Sequence, residues 1–150
     1  TIAVIGASRH KEKLGYQILG NIVNAGFKGK IFPVNPEASE IMGLKAYKKV
    51  TEIPEVVDLA VVVVTSEIVP EVLQDCVDKK VSYAVVVSSG FAEIGEKGKI
   101  LQDEIKDVII KTSTLRVLGP NCLGFTKILT TTASFSLDAR RTKDKCPSCK

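Results

Sequence analysis

Tryptophan is absent, histidine occurs once (His10), and aromatic side chains make up only 5% of the 150 residues. That scarcity removes the stacking platforms on which single-stranded nucleic acid is held. A basic face is missing too. The formal charge is +4, but Asp138 to Lys150 holds five Lys/Arg against two Asp/Glu. Thr1 to Leu137, with 16 basic and 15 acidic side chains, is therefore only +1, and no nucleic-acid partner follows from that balance. Long apolar runs are also lacking. The longest, "LAVVVV", falls far short of the ~18 residues a membrane span needs. The chain opens on a strand pattern with no secretory leader, so no membrane partner is expected and a cytoplasmic location is. Cysteine is sparse: Cys76 falls in a helical pattern and Cys122 after a strand, which is not a secreted disulfide framework.

What is present is a mixture of 45% hydrophobic and 25% charged residues, in a chain long enough to bury one core. Five apolar, β-branched runs alternate with helical patterns. They are Ile2 to Ile5, "KIFPV", "DLAVVVV", "YAVVVSS" and "LRVLG". Between the first two, Leu14, Ile18, Ile22 and Val23 recur at helical spacing until Gly26 and Gly29 stop the pattern. After the third, Val72, Leu73, Cys76 and Val77 share a face. After the fourth, "GFAEIGEKG" opens a helix with Leu101, Ile105, Val108 and Ile109 on one side. A short extended piece, "LKAYKKV", precedes Pro54. Runs this uniformly apolar predict strands covered on both faces, and β–α alternation predicts a parallel sheet. The fold class is α/β, a doubly wound, Rossmann-like domain over residues 1–137.

Beyond Leu137, "DARRTKDKCPSCK" has no apolar period and reads as a flexible basic tail, residues 138–150. Cys146 and Cys149 in it supply two zinc ligands where a closed site needs four, so no metal site is expected.

The first β–α junction, "IAVIGASRHKEKLG", is the loop from which chemistry is expected. In open α/β sheets such a turn presents backbone N–H groups and a helix N-terminus to an anion. A dinucleotide fingerprint would read G-x-G-x-x-G and be followed by an acidic residue at the end of the second strand. Here Gly6 is followed by Ala7 and Ser8, the next glycine is Gly15, and the second strand ends Val34-Asn35-Pro36. Both requirements of a nicotinamide dinucleotide site fail.

Six motifs occur in order: "AVIGAS…KLG", "VNP", "GLKAY", "VDLAVVVV", "SSGFAE" and "LGPNCLG". Together they resemble the CoA-binding domain of NDP-forming acyl-CoA synthetases, most closely that of ADP-forming acetate–CoA ligases. The α subunit of succinyl-CoA synthetase is similar more distantly. The resemblance covers about Thr1 to Gly124. It implies that coenzyme A lies across the C-terminal edge of the sheet. Gly6, Ala7, Ser8, Lys13, Leu14 and Gly15 would hold its phosphates: Gly6 allows a tight turn, Ser8 can cap or donate, and Lys13 offers mobile positive charge. Val34, Asn35 and Pro36 would border the nucleotide. Val87, Ser88, Ser89 and Gly90 would contact CoA, and Asn121 and Cys122 would meet the pantetheine end and its thiol. The same glycines also suit a plain strand–helix turn, and the lysine a solvated surface. No second histidine exists to activate Cys122, so it is expected to line the site and not to react. His10 is expected to face water.

Two departures bound the functional expectation. In the resembled ligases, a domain with a phosphorylated histidine and an ATP-grasp module follow; ATP, ADP and Mg belong to those parts. Distant relatives also carry a lysine after "NP", where this chain reads Glu37-Ala38-Ser39-Glu40. The phosphate charge must then be met by Arg9, Lys11, Lys13 or elsewhere. The expected role is the CoA-holding part of an ADP-forming acid–CoA ligase, with no catalytic residue of its own. A free-standing CoA-binding sensor and an NAD(P)-binding oxidoreductase domain are the alternatives.

Overall fold

Runs of three or four residues, mostly branched and small apolar side chains, build the sheet. The computed structural model describes residues 1–112 and 114–125, together with the short strand Phe135–Ser136. The boundary expected at Leu137 and the tail with Cys146 and Cys149 lie outside the described residues. The main strands are β1 (Ile2–Ile5), β2 (Ile31–Val34), β5 (Leu59–Val62), β6 (Tyr83–Val86) and β7 (Arg116–Leu118), with a hairpin of β3 (Glu40–Ile41) and β4 (Leu44–Lys45) between β2 and β5. All five pair in parallel in the order β2-β1-β5-β6-β7. Ile5 is level with both Val34 and Val62, and Val62 with Val86, so the C-terminal ends form one edge.

Helices α1 (Leu14–Asn24), α2 (Val69–Asp78) and α3 (Glu96–Thr112) make the crossovers. Ile18, Leu19 and Ile22 of α1 pack with Ile2, Val4, Val61 and Val85. On the opposite face, Leu73 and Cys76 of α2 and Ile105 of α3 pack with Ala3, Ile5, Ala60, Val62, Ala84 and Val86. The period-2 alternation of strand side chains sorts residues into these two layers. Each buried Val, Leu or Ile among them contributes about 1.5–3 kcal/mol relative to exposure. The first crossover leads from β1 outward to β2, and the chain then returns past β1 to build β5, β6 and β7. The β1/β5 boundary is therefore the point where the strand order reverses, and open α/β sheets hold ligands there, beyond the carboxyl ends of the strands.

Pro33 fits β2 because its carbonyl faces outward, accepting the Tyr47 N–H at 3.0 Å. Its missing N–H therefore removes no bond from the β1 ladder.

Three local expectations are corrected. Val23 is 40% exposed, while Gly15, Ile18, Leu19 and Ile22 form the buried face of α1; at 100° per residue Val23 has rotated out of the stripe centred on Ile18 and Ile22. The "LKAYKKV" piece does not run extended throughout. It starts extended, as β4 paired to β3 across the Met42-Gly43 turn (φ 54° and 76°, as a two-residue hairpin turn requires), but it ends in the 3-10 turn Val50–Glu52. The last strand is not covered on both faces: Leu118 is 50% exposed, and Arg116 is exposed beside it.

Candidate functional site

Five loops meet at the C-terminal edge. The first, after β1, is fixed by two backbone approaches. Gly6 has φ +89°, and a Cβ there would meet the Val63 carbonyl and lie 2.9 Å from Val64 Cγ1. Only glycine adopts that conformation so close to a neighbouring strand end. A Cβ on Gly15 would meet the Gly6 carbonyl and stand 3.1 Å from Ala7 Cα. The first turn of α1 is thus pressed onto the loop; its Tyr16 N–H donates to Lys13 O at 3.0 Å, and the Leu14 and Gly15 N–H groups ahead of it have no acceptor within the helix. No side chain caps the helix. Ser8 does not cap the helix; its hydroxyl accepts the His10 N–H at 3.1 Å and so shapes the loop. Arg9, His10, Lys11 and Lys13 are exposed around it, and His10 meets water as expected, 3.8 Å from the Glu12 carboxylate.

Asn35 joins the second loop to the first. Its Nδ2 donates to Ala7 O at 2.7 Å, its Oδ1 accepts the Glu37 N–H at 2.8 Å, and its N–H donates to Tyr47 O at 2.8 Å. No carboxylate stands at the end of β2. An amide that can donate is what an outward-facing carbonyl needs, and an aspartate could not supply it.

The third and fourth loops are tied by Ser88. Its hydroxyl donates to Val64 O at 2.6 Å and accepts the Val64 N–H at 3.2 Å. Its carbonyl accepts the Asn121 N–H at 2.9 Å. Ser88 is buried and Val87 is 6% exposed, whereas Ser89 faces solvent. Gly90, at φ +102°, lies where a Cβ would be 2.8 Å from Ser66 Oγ. The Gly90 N–H donates to Glu93 Oε1 at 2.7 Å. That bond, with those from the Glu93 and Phe91 amides, holds the Glu93 carboxyl below its ordinary value.

The last loop follows β7 through a cis Gly119–Pro120 bond, with Asn121 at φ +56°. Asn121 is exposed and Cys122 half-buried, the latter's N–H donating to Val86 O at 3.2 Å. Cys122 stands at the mouth of the edge. Cys76 lies in the core, where burial and then the Asp75 charge push its thiol up to about 12.

The residues expected to meet CoA all lie in these five loops, at the end of β2 (Val34) or at the start of α1. Gly6, Ala7, Gly15 and Asn35 are brought into direct contact, and Ser88 is joined to Asn121. Sequence reasoning misses the segment Val63 to Ser66 as part of the site, because it reads as the continuation of an apolar run. The strand ends at Val62, and the four residues after it wall the site between the first and fourth loops. A groove of about 520 Å³ beyond β2, bordered by Pro36, Ser39, Lys45, Tyr47 and Lys48, is missed as well. Among the described residues no group of His, Cys, Asp and Glu could hold a metal ion, and no helix is long and apolar enough to cross a membrane.

The arrangement has close relatives. An ADP-forming acetate–CoA ligase II of Archaeoglobus fulgidus is 46% identical over 124 residues, which cover 83% of this chain and 18% of that protein. The α subunit of an ADP-forming acetate–CoA ligase I from Pyrococcus furiosus is 44% identical, over 83% of this chain and 28% of the subunit. Among solved structures, the dinucleotide-forming acetyl-coenzyme A synthetase 1 of Ca. Korarchaeum cryptofilum, in complex with phosphate and ADP, superposes with a TM-score of 0.83 at 43% identity. That match covers 89% of this chain and 28% of the larger one. The chain thus spans less than a third of the length of these relatives. The CoA binding domain family matches residues 1–127, and with its glycine-pinned first loop at the strand-order reversal this chain belongs to that family.

Proposed function

We propose that this chain binds coenzyme A along the C-terminal edge of its sheet, as the CoA-holding part of an ADP-forming acid–CoA ligase. The pyrophosphate rests on the loop from Gly6 to Gly15, with Ala7, Ser8, Lys13 and Leu14 around it. The nucleotide passes Val34, Asn35 and Pro36. The pantetheine arm runs by Val87, Ser88, Ser89 and Gly90 toward Asn121 and Cys122, with Ser88 contributing through the loop it shapes and not through its hydroxyl. The observation that carries this reading is the pair of glycines whose missing side chains let the first loop close on the end of β5 and let α1 start directly on that loop, at the β1/β5 boundary.

In the whole ligase the reaction is acyl-CoA + ADP + phosphate ⇌ acid + CoA + ATP. Phosphate displaces the CoA thiolate from the acyl group, and the acyl phosphate passes its phosphoryl group through a histidine to ADP. The histidine and the ATP-grasp module belong to other parts of the enzyme. This chain contributes orientation: it holds the thiol end at one place while the acyl group is exchanged. Alone it binds and does not turn over.

A thermal-shift and calorimetric panel of CoA, dephospho-CoA, NAD, NADP and ADP tests the reading. CoA at a hundred times its Kd is expected to stabilise the fold by about 2.7 kcal/mol. Stabilisation by NAD with none by CoA would overturn it.

A further inference from the structure

The topology leaves one corner of the sheet bare. Right-handed crossovers running in opposite directions place α1 on one face and α2 and α3 on the other, and α1 covers its own face as far as Val61 and Val85. Leu59, Tyr83 and Arg116 stand level across β5, β6 and β7, and Val61, Val85 and Leu118 stand level two residues further on. Alternation along the strands turns all six toward the face of α1. Past the helix that face is open: Tyr83 is 51% and Leu118 50% exposed, with Arg116 exposed beside them. The result is an apolar hollow of about 460 Å³, floored by Leu59, Tyr83, Val85 and Leu118, with Asp58 on its β5 side and Arg116 on its β7 side.

Opposite charges therefore flank an apolar floor. Within one chain they are two strand spacings, about 10 Å, apart, and they do not pair. The Asp58 carboxylate meets the Thr1 amine at 2.7 Å through Oδ2, with its side chain still 64% exposed. Arg116 has no ion pair with a described residue. We propose that this hollow docks a second copy of the chain, across a two-fold axis running along β6. Such an axis lays β5 of each copy over β7 of the other with the same strand ends together. Asp58 of one copy then faces Arg116 of the other, twice over, and the two apolar floors meet between them. An isologous contact must be self-complementary, and an apolar floor between one acid and one base has that symmetry built in. Exposed apolar patches rimmed by polar groups mark such contacts. The inference stands apart from the CoA reading. The hollow lies toward the N-terminal ends of the strands, so both C-terminal edges stay open and point the same way.

Sedimentation velocity across about 1–100 µM tests the assignment. The wild type is expected to dimerise within that range. Leu118→Lys, which puts a charge on the apolar floor, should abolish the dimer. Arg116→Glu and Asp58→Arg each set like charges against one another at both ends, and each should weaken the dimer at least about tenfold. An equimolar mixture of those two variants should dimerise as the wild type does, because acid again faces base at both ends. Thermal melts establish that each variant is folded, and only pairing between copies lets two weakened variants rescue one another. A wild type that stays monomeric at about 100 µM overturns the assignment and leaves this face to another part of the ligase. Single reversals that keep the dimer, or a mixture of folded variants that stays monomeric, overturn it equally. None of these outcomes touches the CoA reading, which the ligand panel decides by itself.

Discussion

Asn35 Nδ2 donates to the Ala7 carbonyl at 2.7 Å, and the same side chain accepts the Glu37 N–H at 2.8 Å. One amide therefore holds the loop after β1 and the turn after β2 in a fixed relation. Asn35→Ala removes both bonds and is expected to lower stability by about 1–2 kcal/mol, read from urea unfolding. It should weaken CoA at least tenfold, because a free Ala7 segment no longer presents its amides together. Equal CoA affinity in the variant would show that the clamp serves the fold alone.

The close approach of Gly15 to Gly6 makes a second, sharper test. A methyl group at Gly15 would meet a backbone carbonyl, which cannot rotate away as a side chain can. Gly15→Ala should cost about 1–3 kcal/mol and abolish measurable CoA binding. Gly26→Ala is the control: its φ is +72°, yet nothing lies within 4 Å. Only the strain of a left-handed alanine remains, about 1 kcal/mol, and CoA affinity should not change.

Glu93 links the Gly90 loop to pH. Its carboxyl is lowered from the ordinary 4.5, chiefly by the Gly90 N–H. For a depressed carboxyl the favourable contribution is fully present above the unfolded value. It is lost as pH falls through the lower folded value. The Gly90 amide resonance should therefore titrate with a midpoint below 4.5, and Glu93→Gln should erase that titration. A midpoint at or above the ordinary glutamate value would refute the bond's role.

The two described cysteines should separate cleanly under alkylation at pH 8. Cys76, whose thiol is pushed up to about 12, stays unmodified until the protein unfolds. Cys122, half-buried at the mouth of the edge, is expected to react in the folded protein and to be protected by CoA. Mass mapping of the modified peptides reads both outcomes. Labelling of Cys122 at the same rate with and without CoA would remove it from the thiol end of the site.

The sheet and the loops at its C-terminal edge are legible in the sequence for a physical reason. Branched apolar runs such as Ile2 to Ile5 are forced inward, and a glycine directly after a strand marks a turn that other residues resist. The roles of single polar side chains are less legible. Asn35 holds Ala7, a bond its place after a strand does not announce; Ser8 caps no helix and accepts from His10. Ser88, expected to touch a ligand, has its hydroxyl committed to Val64. Composition and spacing reveal which residues reach an edge, but not which of several backbone groups there each will bond. The hairpin turn at Met42-Gly43 carries no Asn-Gly or Asp-Gly signal and is invisible to local pattern.

The contact between Gly15 and the Gly6 carbonyl also bears on kinetics. A crossover already clamped in its working shape needs no closure when the ligand arrives, so little ordering entropy opposes capture. Association should then be a single diffusive step, sped by the cationic fringe and slowed by salt, with residence time alone separating strong ligands from weak ones.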